Sequence, residues 1–185
     1  MHEKYLEKQV KKTMELIEYM SQTIDDFRNF FKTDKEEKEF SLEKIIKNTV
    51  HLVESGFESL QIEIILDIKK DVKIKGFPNE YSQVLLNILS NAKDAIAPDK
   101  NKNKYVKIKL QKDKTGKSVL KIFNTGRPIR KNILDKIFDP YFTTKHESVG
   151  TGIGLYMSKT IINKNMKGNL YAINVKNGVE FTIEV

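Results

Sequence analysis

The sequence has no cysteine and no tryptophan, and only four prolines and three arginines among its 185 residues. Without cysteine, disulfides and thiolate metal sites are excluded, and reducing cytosol is the natural home. No apolar run approaches the roughly 18 residues of a membrane-spanning helix. The opening M-H-E-K-Y-L-E-K lacks the apolar region of a signal peptide. The expectation is therefore a cytoplasmic segment without membrane contact, any membrane anchor of a parent protein lying upstream. The formal net charge of +8 is nearly all lysine, spread along the chain, with Arg28, Arg127 and Arg130 as the arginines. Aromatic residues are not interleaved with basic ones as in a base-stacking platform, which argues against a nucleic-acid partner. A hydrophobic fraction of 39% is enough for a core.

Glycine is also scarce, yet three of the nine fall within five residues, Gly150, Gly152 and Gly154, in H-E-S-V-G-T-G-I-G-L. Each would cost roughly 1 kcal/mol against alanine inside a helix. Such a stretch bends freely and lets a ligand approach its N–H groups. Placed just before the apolar helix pattern that follows, it is a ready anion cradle. Taken alone it is equally a flexible surface turn. No Lys-Ser/Thr pair follows the last glycine, which excludes a P-loop, and no strand precedes it as a dinucleotide fingerprint requires.

Residues 3–32 read as one long helix free of Gly and Pro. Leu6, Val10, Ile17, Met20, Ile24, Phe27 and Phe31, with Thr13 in the remaining slot, step by four and three, a heptad seam that calls for a partner helix and hence a dimer. Residues 33–39 form a charged linker. Ser41 is placed to cap a helix over 41–54, and 61–68 alternates as a strand. A turn at 76–79 feeds a helix over 79–96. Two alternating strands, 105–111 and 118–123, make a hairpin; a tight turn follows at 124–129, then a short helix over 130–137. Residues 138–149 lack any period and suit a lid. A helix to about 165 and a closing hairpin, 168–175 with 178–185 around Asn177-Gly178, complete the chain.

The 79–96 helix carries a polar stripe, Gln83, Asn87, Asn91 and Asp94, through an otherwise apolar sequence. Offsets of four, four and three stack these side chains on one face. Asparagine is a poor helix former, and amides beside a core are costly without partners. Two amides and a carboxylate offer oxygens to a hard cation such as Mg2+, which keeps water and phosphate among its ligands. A solvent-facing stripe is the alternative, though Lys and Glu would serve that more cheaply.

Four segments in this order, Q-V-L-L-N-I-L-S-N-A-K-D-A-I, F-N-T-G-R-P-I, F-D-P-Y-F-T-T-K and G-T-G-I-G-L-Y-M-S-K, resemble the N box, first glycine box, F box and second glycine box of sensor histidine kinases. The likeness covers residues 40–185, and M-S-Q-T-I-D-D-F-R-N-F-F is similar to the second helix of that family's dimerisation hairpin. It implies an α/β fold, an α+β two-layer sandwich of the Bergerat or GHKL ATPase type, preceded by a coiled-coil-like helix. The domains would be 1–39, the partial dimerisation helix and linker, and 40–185, the ATP-binding catalytic domain. By this resemblance Asn91 would hold Mg2+ on the ATP phosphates, with Asn87 and Asp94 assisting. Asn124 would face the adenine amino group, Gly126 would let the base approach and Ile129 would pack on it. Thr143, Thr144 and Lys145 would meet the phosphates from the lid, with Phe142 anchoring it. Gly150, Thr151, Gly152, Ile153, Gly154 and Leu155 would supply the backbone cradle. Asn87, Asn91 and Lys145 would be the catalytic set, acting by positioning and charge neutralisation. The phosphoryl would pass to a histidine and then to an aspartate on a response regulator receiver domain.

Two departures bear on this. The first glycine box carries Asn124 in place of the family's aspartate and Pro128 in place of its second glycine. An amide still accepts from the adenine amino group but without charge assistance, about 1 kcal/mol weaker. No histidine (His2, His51, His146) stands in the family's phosphoacceptor setting, so the acceptor helix is expected to be absent from this chain, leaving it inactive in autophosphorylation by itself. The competing readings are a degenerate nucleotide- or partner-binding dimerisation module without kinase activity, and a hydrolytic ATPase of the gyrase kind. Against the second, Asn87 occupies the position of the water-activating glutamate and cannot act as a general base.

Overall fold

The computed structural model describes residues 9–10, 13–14, 36–98, 103–144 and 152–185. Of the expected long helix over 3–32 with its dimerising seam, only 9–10 and 13–14 are described, as helix, and the rest lies outside these residues, as do Lys145, His146, Gly150 and Thr151. The described elements are β1 (Lys38–Ser41), α1 (Leu42–Glu58), β2 (Glu63–Ile68), β3 (Lys73–Gly76), α2 (Pro78–Ile96), β4 (Tyr105–Lys112), β5 (Ser118–Thr125), α3 (Lys131–Leu134), α4 (Gly154–Thr160), a π-helical turn (Ile161–Asn165), β6 (Asn169–Val175) and β7 (Gly178–Glu184).

The main sheet has five strands in the order β2-β4-β5-β7-β6. β2 and β4 run parallel, and the other pairs are antiparallel. Alternation decides what each strand buries. Val106, Ile108 and Leu110 of β4, Leu120 and Ile122 of β5, and Val179, Phe181 and Ile183 of β7 join one core. On the other face Lys107 and Lys109 are exposed, and Lys121 reaches Glu180 across the β5–β7 pair at 2.8 Å. That pairing raises the Lys121 pKa, the Glu180 hydrogen bond being the main cause.

The helices complete the core. Leu42, Ile46, Val50 and Phe57 line one side of α1. Tyr81, Val84, Leu85, Ile88, Leu89, Ala92 and Ile96 do the same on α2, at the three-and-four spacing of a helix that packs with its apolar side. Helix α1 starts as the sequence predicts: the Ser41 hydroxyl accepts from the Lys44 N–H at 3.0 Å. Asp71 accepts from the Glu43 N–H at 3.1 Å. Partial burial pushes the Asp71 pKa up, but hydrogen bonds from Glu43, Ser41 and Val72 outweigh it and hold it below the ordinary value.

Two strands were not foreseen. β1 pairs antiparallel with β3, Phe40 opposite Ile74. Four residues with a single inward side chain each are too short to show a period. The edge-on contact of Phe40 with the buried Tyr81, 6.0 Å between ring centres, ties this small sheet to α2. β1 begins at Lys38, so the last two residues of the stretch 33–39 belong to a strand. The closing hairpin turns one residue earlier than expected. Val175 pairs with Gly178, so Lys176-Asn177 is the turn, and Asn177 takes the left-handed conformation (φ 68°). Gly178 is instead a strand residue, where a Cβ would lie 2.0 Å from the Asn124 carbonyl oxygen.

Candidate active site

A cavity of about 590 Å³ opens at the end of the sheet where β5 finishes and β7 begins. Its walls come from the C-terminal half of α2, the end of β5, the loop and short helix after it, the lid before α4, Leu155 of α4 and the first half of β7. Local sequence explains each wall. The polar stripe of α2 must emerge from a core helix, and it does so here with Asn91 half-buried and Asp94 exposed. Asn124 ends the inward row of β5 and is only 2% exposed. Its NH2 group donates to the Thr125 carbonyl at 3.0 Å, which leaves the side-chain oxygen as the end turned away from that bond.

Of the sequence-predicted site residues, Asn91, Asp94, Asn124, Ile129, Phe142, Thr143, Thr144 and Leu155 line this one cavity. Gly126, Gly152, Ile153, Gly154 and Asn87 are not among its lining side chains, and Lys145, Gly150 and Thr151 lie outside the described residues. Asn87 stands one turn from Asn91 but does a separate job. Its NH2 group donates to the Gly154 carbonyl and to the Ser158 hydroxyl, both at 3.2 Å. The Ser158 hydroxyl donates to the same carbonyl at 2.9 Å. The amide stripe and the start of the glycine-led helix α4 are thus in direct contact.

The described part of the lid is fixed from two directions. The Phe138 ring meets Phe181 of β7 edge-on at 6.4 Å, and the Lys159 ammonium of α4 stands 4.6 Å from its centre. Further along, Gly152 has φ +66°, and a Cβ there would lie 2.4 Å from the Tyr141 carbonyl carbon. Gly152 thus presses against the backbone of Tyr141 and Phe142, immediately before Thr143 and Thr144. Gly126 also has a positive φ, +128°, with the Ala95 carbonyl oxygen 3.2 Å from where a Cβ would stand. That closeness brings the β5 end against the last turn of α2.

Sequence reasoning missed the apolar floor, Val179 and Phe181 of β7 with Ile133 of α3 and Ile137 just beyond it. It also missed Arg127 and Arg130, which border the cavity on either side of Pro128-Ile129. The inward alternation of β7 signalled the first pair; for the arginines the signal was their rarity in a lysine-rich chain. Another omission is Asn174 of β6, which donates to the Ile129 carbonyl at 2.7 Å and accepts from the Ile129 N–H at 2.8 Å. His51 is exposed on α1, its ring 3.7 Å from the Glu54 carboxylate, and takes no part in the cavity. Among the described residues no helix is long and apolar enough to cross a membrane, and no cluster of three His, Cys, Asp or Glu could hold a metal.

Comparison with known proteins gives a consistent result. Residues 76–185 match the profile of the histidine kinase-, DNA gyrase B- and HSP90-like ATPase family. Sensor histidine kinase ZraS of Salmonella typhimurium is 32% identical over 148 residues, covering 77% of this chain and 30% of the relative. Sporulation kinase D of Bacillus subtilis is 28% identical over 172 residues, covering 90% of this chain and 32% of the relative. The chain thus spans about a third of the length of these curated relatives. Among solved structures, the catalytic domain of histidine kinase ThkA superposes with TM-score 0.72 at 31% identity, over 81% of this chain and 95% of that one. ThkA in complex with the response regulator protein TrrA matches with TM-score 0.68 at 25% identity, over 97% of this chain and 51% of that one. On the family match, the relatives and the shared fold, the chain belongs to the histidine kinase-, DNA gyrase B- and HSP90-like ATPase family, as a catalytic ATPase domain of the sensor histidine kinase kind.

Proposed function

We propose that this chain binds Mg-ATP in the cavity beside α2 and delivers its γ-phosphoryl to a histidine, from which it passes to an aspartate of a response regulator receiver domain. The observation that carries the reading is the convergence on one cavity of Asn91 and Asp94, the buried Asn124 and the lid residues Thr143 and Thr144. One end is apolar and closed by a single buried amide, which suits a purine base. The other is lined by oxygens and hydroxyls, which suits phosphates and a cation.

The residues present fit magnesium. Asn91 and Asp94 are oxygen donors one turn apart on a rigid helix, a set that leaves room for phosphate and water in an octahedral shell. Bound there, Mg2+ would neutralise phosphate charge. The rest is positioning by the chain. The Asn124 oxygen accepts from the adenine amino group, and Ile129, Val179 and Phe181 enclose the ring. Thr143 and Thr144 donate to phosphate oxygens, with Lys145 and the backbone of Gly150–Gly154 completing the cradle. Asn87 donates one hydrogen bond to the Gly154 carbonyl and one to the Ser158 hydroxyl, and so acts on the cradle and not on the metal. The acceptor histidine is brought from outside the cavity, and residues 1–39 serve as a dimerisation helix and linker that presents it.

The test is transfer itself. A longer chain carrying the upstream helix, incubated with γ-labelled Mg-ATP, should acquire acid-labile, alkali-stable label on histidine and lose it to a receiver domain. Absence of label there, and in mixtures with a histidine-bearing helical hairpin, would overturn the kinase reading.

A further inference from the structure

We infer that Asn174 is a positioning residue that sets the base end of the cavity; the inference rests on the nucleotide reading above. Asparagine is disfavoured in strands, yet Asn174 sits in edge strand β6 between Ile173 and Val175. Its position is explained by what the side chain does 45 residues back. The amide accepts from the Ile129 N–H at 2.8 Å and donates to the Ile129 carbonyl at 2.7 Å. A primary amide carries one donor face and one acceptor face, so it can stand in for a peptide group of a neighbouring strand. Asn174 thereby extends the sheet by one residue, onto a loop that is not a strand.

That loop needs such a hold. Between the end of β5 at Thr125 and the start of α3 at Lys131, Pro128 has no N–H to give. Gly126 is tied by its N–H to the Asn177 carbonyl at 3.2 Å, and Ile129 is tied to Asn174. The four residues Arg127–Arg130 all line the cavity. In the register Asn174 stands opposite Val179, itself a wall residue and 2% exposed, so the clamp joins two sides of the same end. Both of these Asn174 hydrogen bonds go to Ile129, on the loop at the base end of the cavity. The clamp therefore governs how the base is received and leaves the phosphate end alone.

The experiment separates the two ends with two ligands: Mg-ATP and magnesium tripolyphosphate, which has the phosphates and no base. Calorimetric titration of Asn174→Ala should show Mg-ATP weakened by about tenfold or more, the order expected from losing a two-point hydrogen bond, with tripolyphosphate affinity within about twofold of the wild type. Amide hydrogen exchange at Ile129 should be slow in the wild type and markedly faster in the variant. Equal weakening of both ligands, or none of either, overturns the assignment. Should the alanine variant not fold, the wild-type exchange decides alone: an Ile129 amide no better protected than that of Arg127 means there is no clamp. Wild-type protein that binds neither ligand removes the nucleotide reading and this inference with it, an outcome distinct from an unaffected variant.

Discussion

Gly152 and Gly154 look alike in sequence but differ in structure, and substituting them one at a time should show it. At Gly152 the backbone has φ +66°, and an added Cβ would lie 2.4 Å from the Tyr141 carbonyl carbon and 2.8 Å from the Phe142 nitrogen. An alanine there costs about 1–2 kcal/mol for the left-handed conformation alone. The overlap is with main chain and cannot be relieved by a side-chain rotation, so the lid must move away from α4. At Gly154, the first residue of α4, the nearest atom to an added Cβ is the Asn87 Oδ1 at 3.5 Å, an ordinary contact. Alanine there gains up to about 1 kcal/mol of helix propensity. Gly152→Ala should therefore lose at least ~2 kcal/mol, divided between urea-unfolding free energy and Mg-ATP affinity according to whether the fold or the lid gives way. Gly154→Ala should unfold at the same or slightly higher urea concentration. Paired urea denaturation and calorimetric titration measure both parts. A Gly152→Ala protein equal to the wild type in both would refute the argument that this glycine exists to let the lid backbone approach.

Other outcomes follow from the same contacts. Asn91→Ala should abolish the magnesium dependence of nucleotide binding while leaving unfolding nearly unchanged, since the side chain faces the cavity and not the core; titrations with and without Mg2+ check this. Asn87→Ala deletes two half-buried hydrogen bonds, though Ser158 still serves the Gly154 carbonyl, so a loss of about 1–2 kcal/mol is expected in urea denaturation. Asp71 has a folded-state pKa below its ordinary 3.8. Its stabilisation is complete above that value and disappears as the pH falls through the lower folded value. The unfolding free energies of wild type and Asp71→Asn should therefore differ at pH 6, and the gap should narrow as the pH falls below 3.8; a gap independent of pH would contradict the hydrogen-bonding account.

Much of this was legible in the residues because the informative signals are local. Helical spacing put Asn91 and Asp94 on one side of α2, and strict alternation marked β4, β5 and β7. A capping serine fixed the start of α1 to the residue. What stayed hidden depends on distant partners. β1 and β3 are each four residues long and exist through one another, with Phe40 against Tyr81 as the tie. Gly178 reads as a turn glycine until the Asn124 carbonyl is seen beside it. Asn87 and Asn91 look like one amide pair in sequence, but one turn of helix points the first at Gly154 and Ser158 and the second at the cavity. Nothing near Asn174 in the chain announces that it reaches Ile129.

The central claim is that one cavity, bounded by Asn91, Asn124 and the lid, receives Mg-ATP. The most direct measurement is the backbone and side-chain amide spectrum of the isotope-labelled chain during titration with Mg-ATP. The account predicts saturable shifts at Asn91, Asp94, Asn124, Ile129 and Thr143–Thr144, together with the glycine segment up to Gly154. A spectrum unchanged at millimolar Mg-ATP, or shifts confined to the opposite end of the sheet near Lys112 and Lys117, would contradict it.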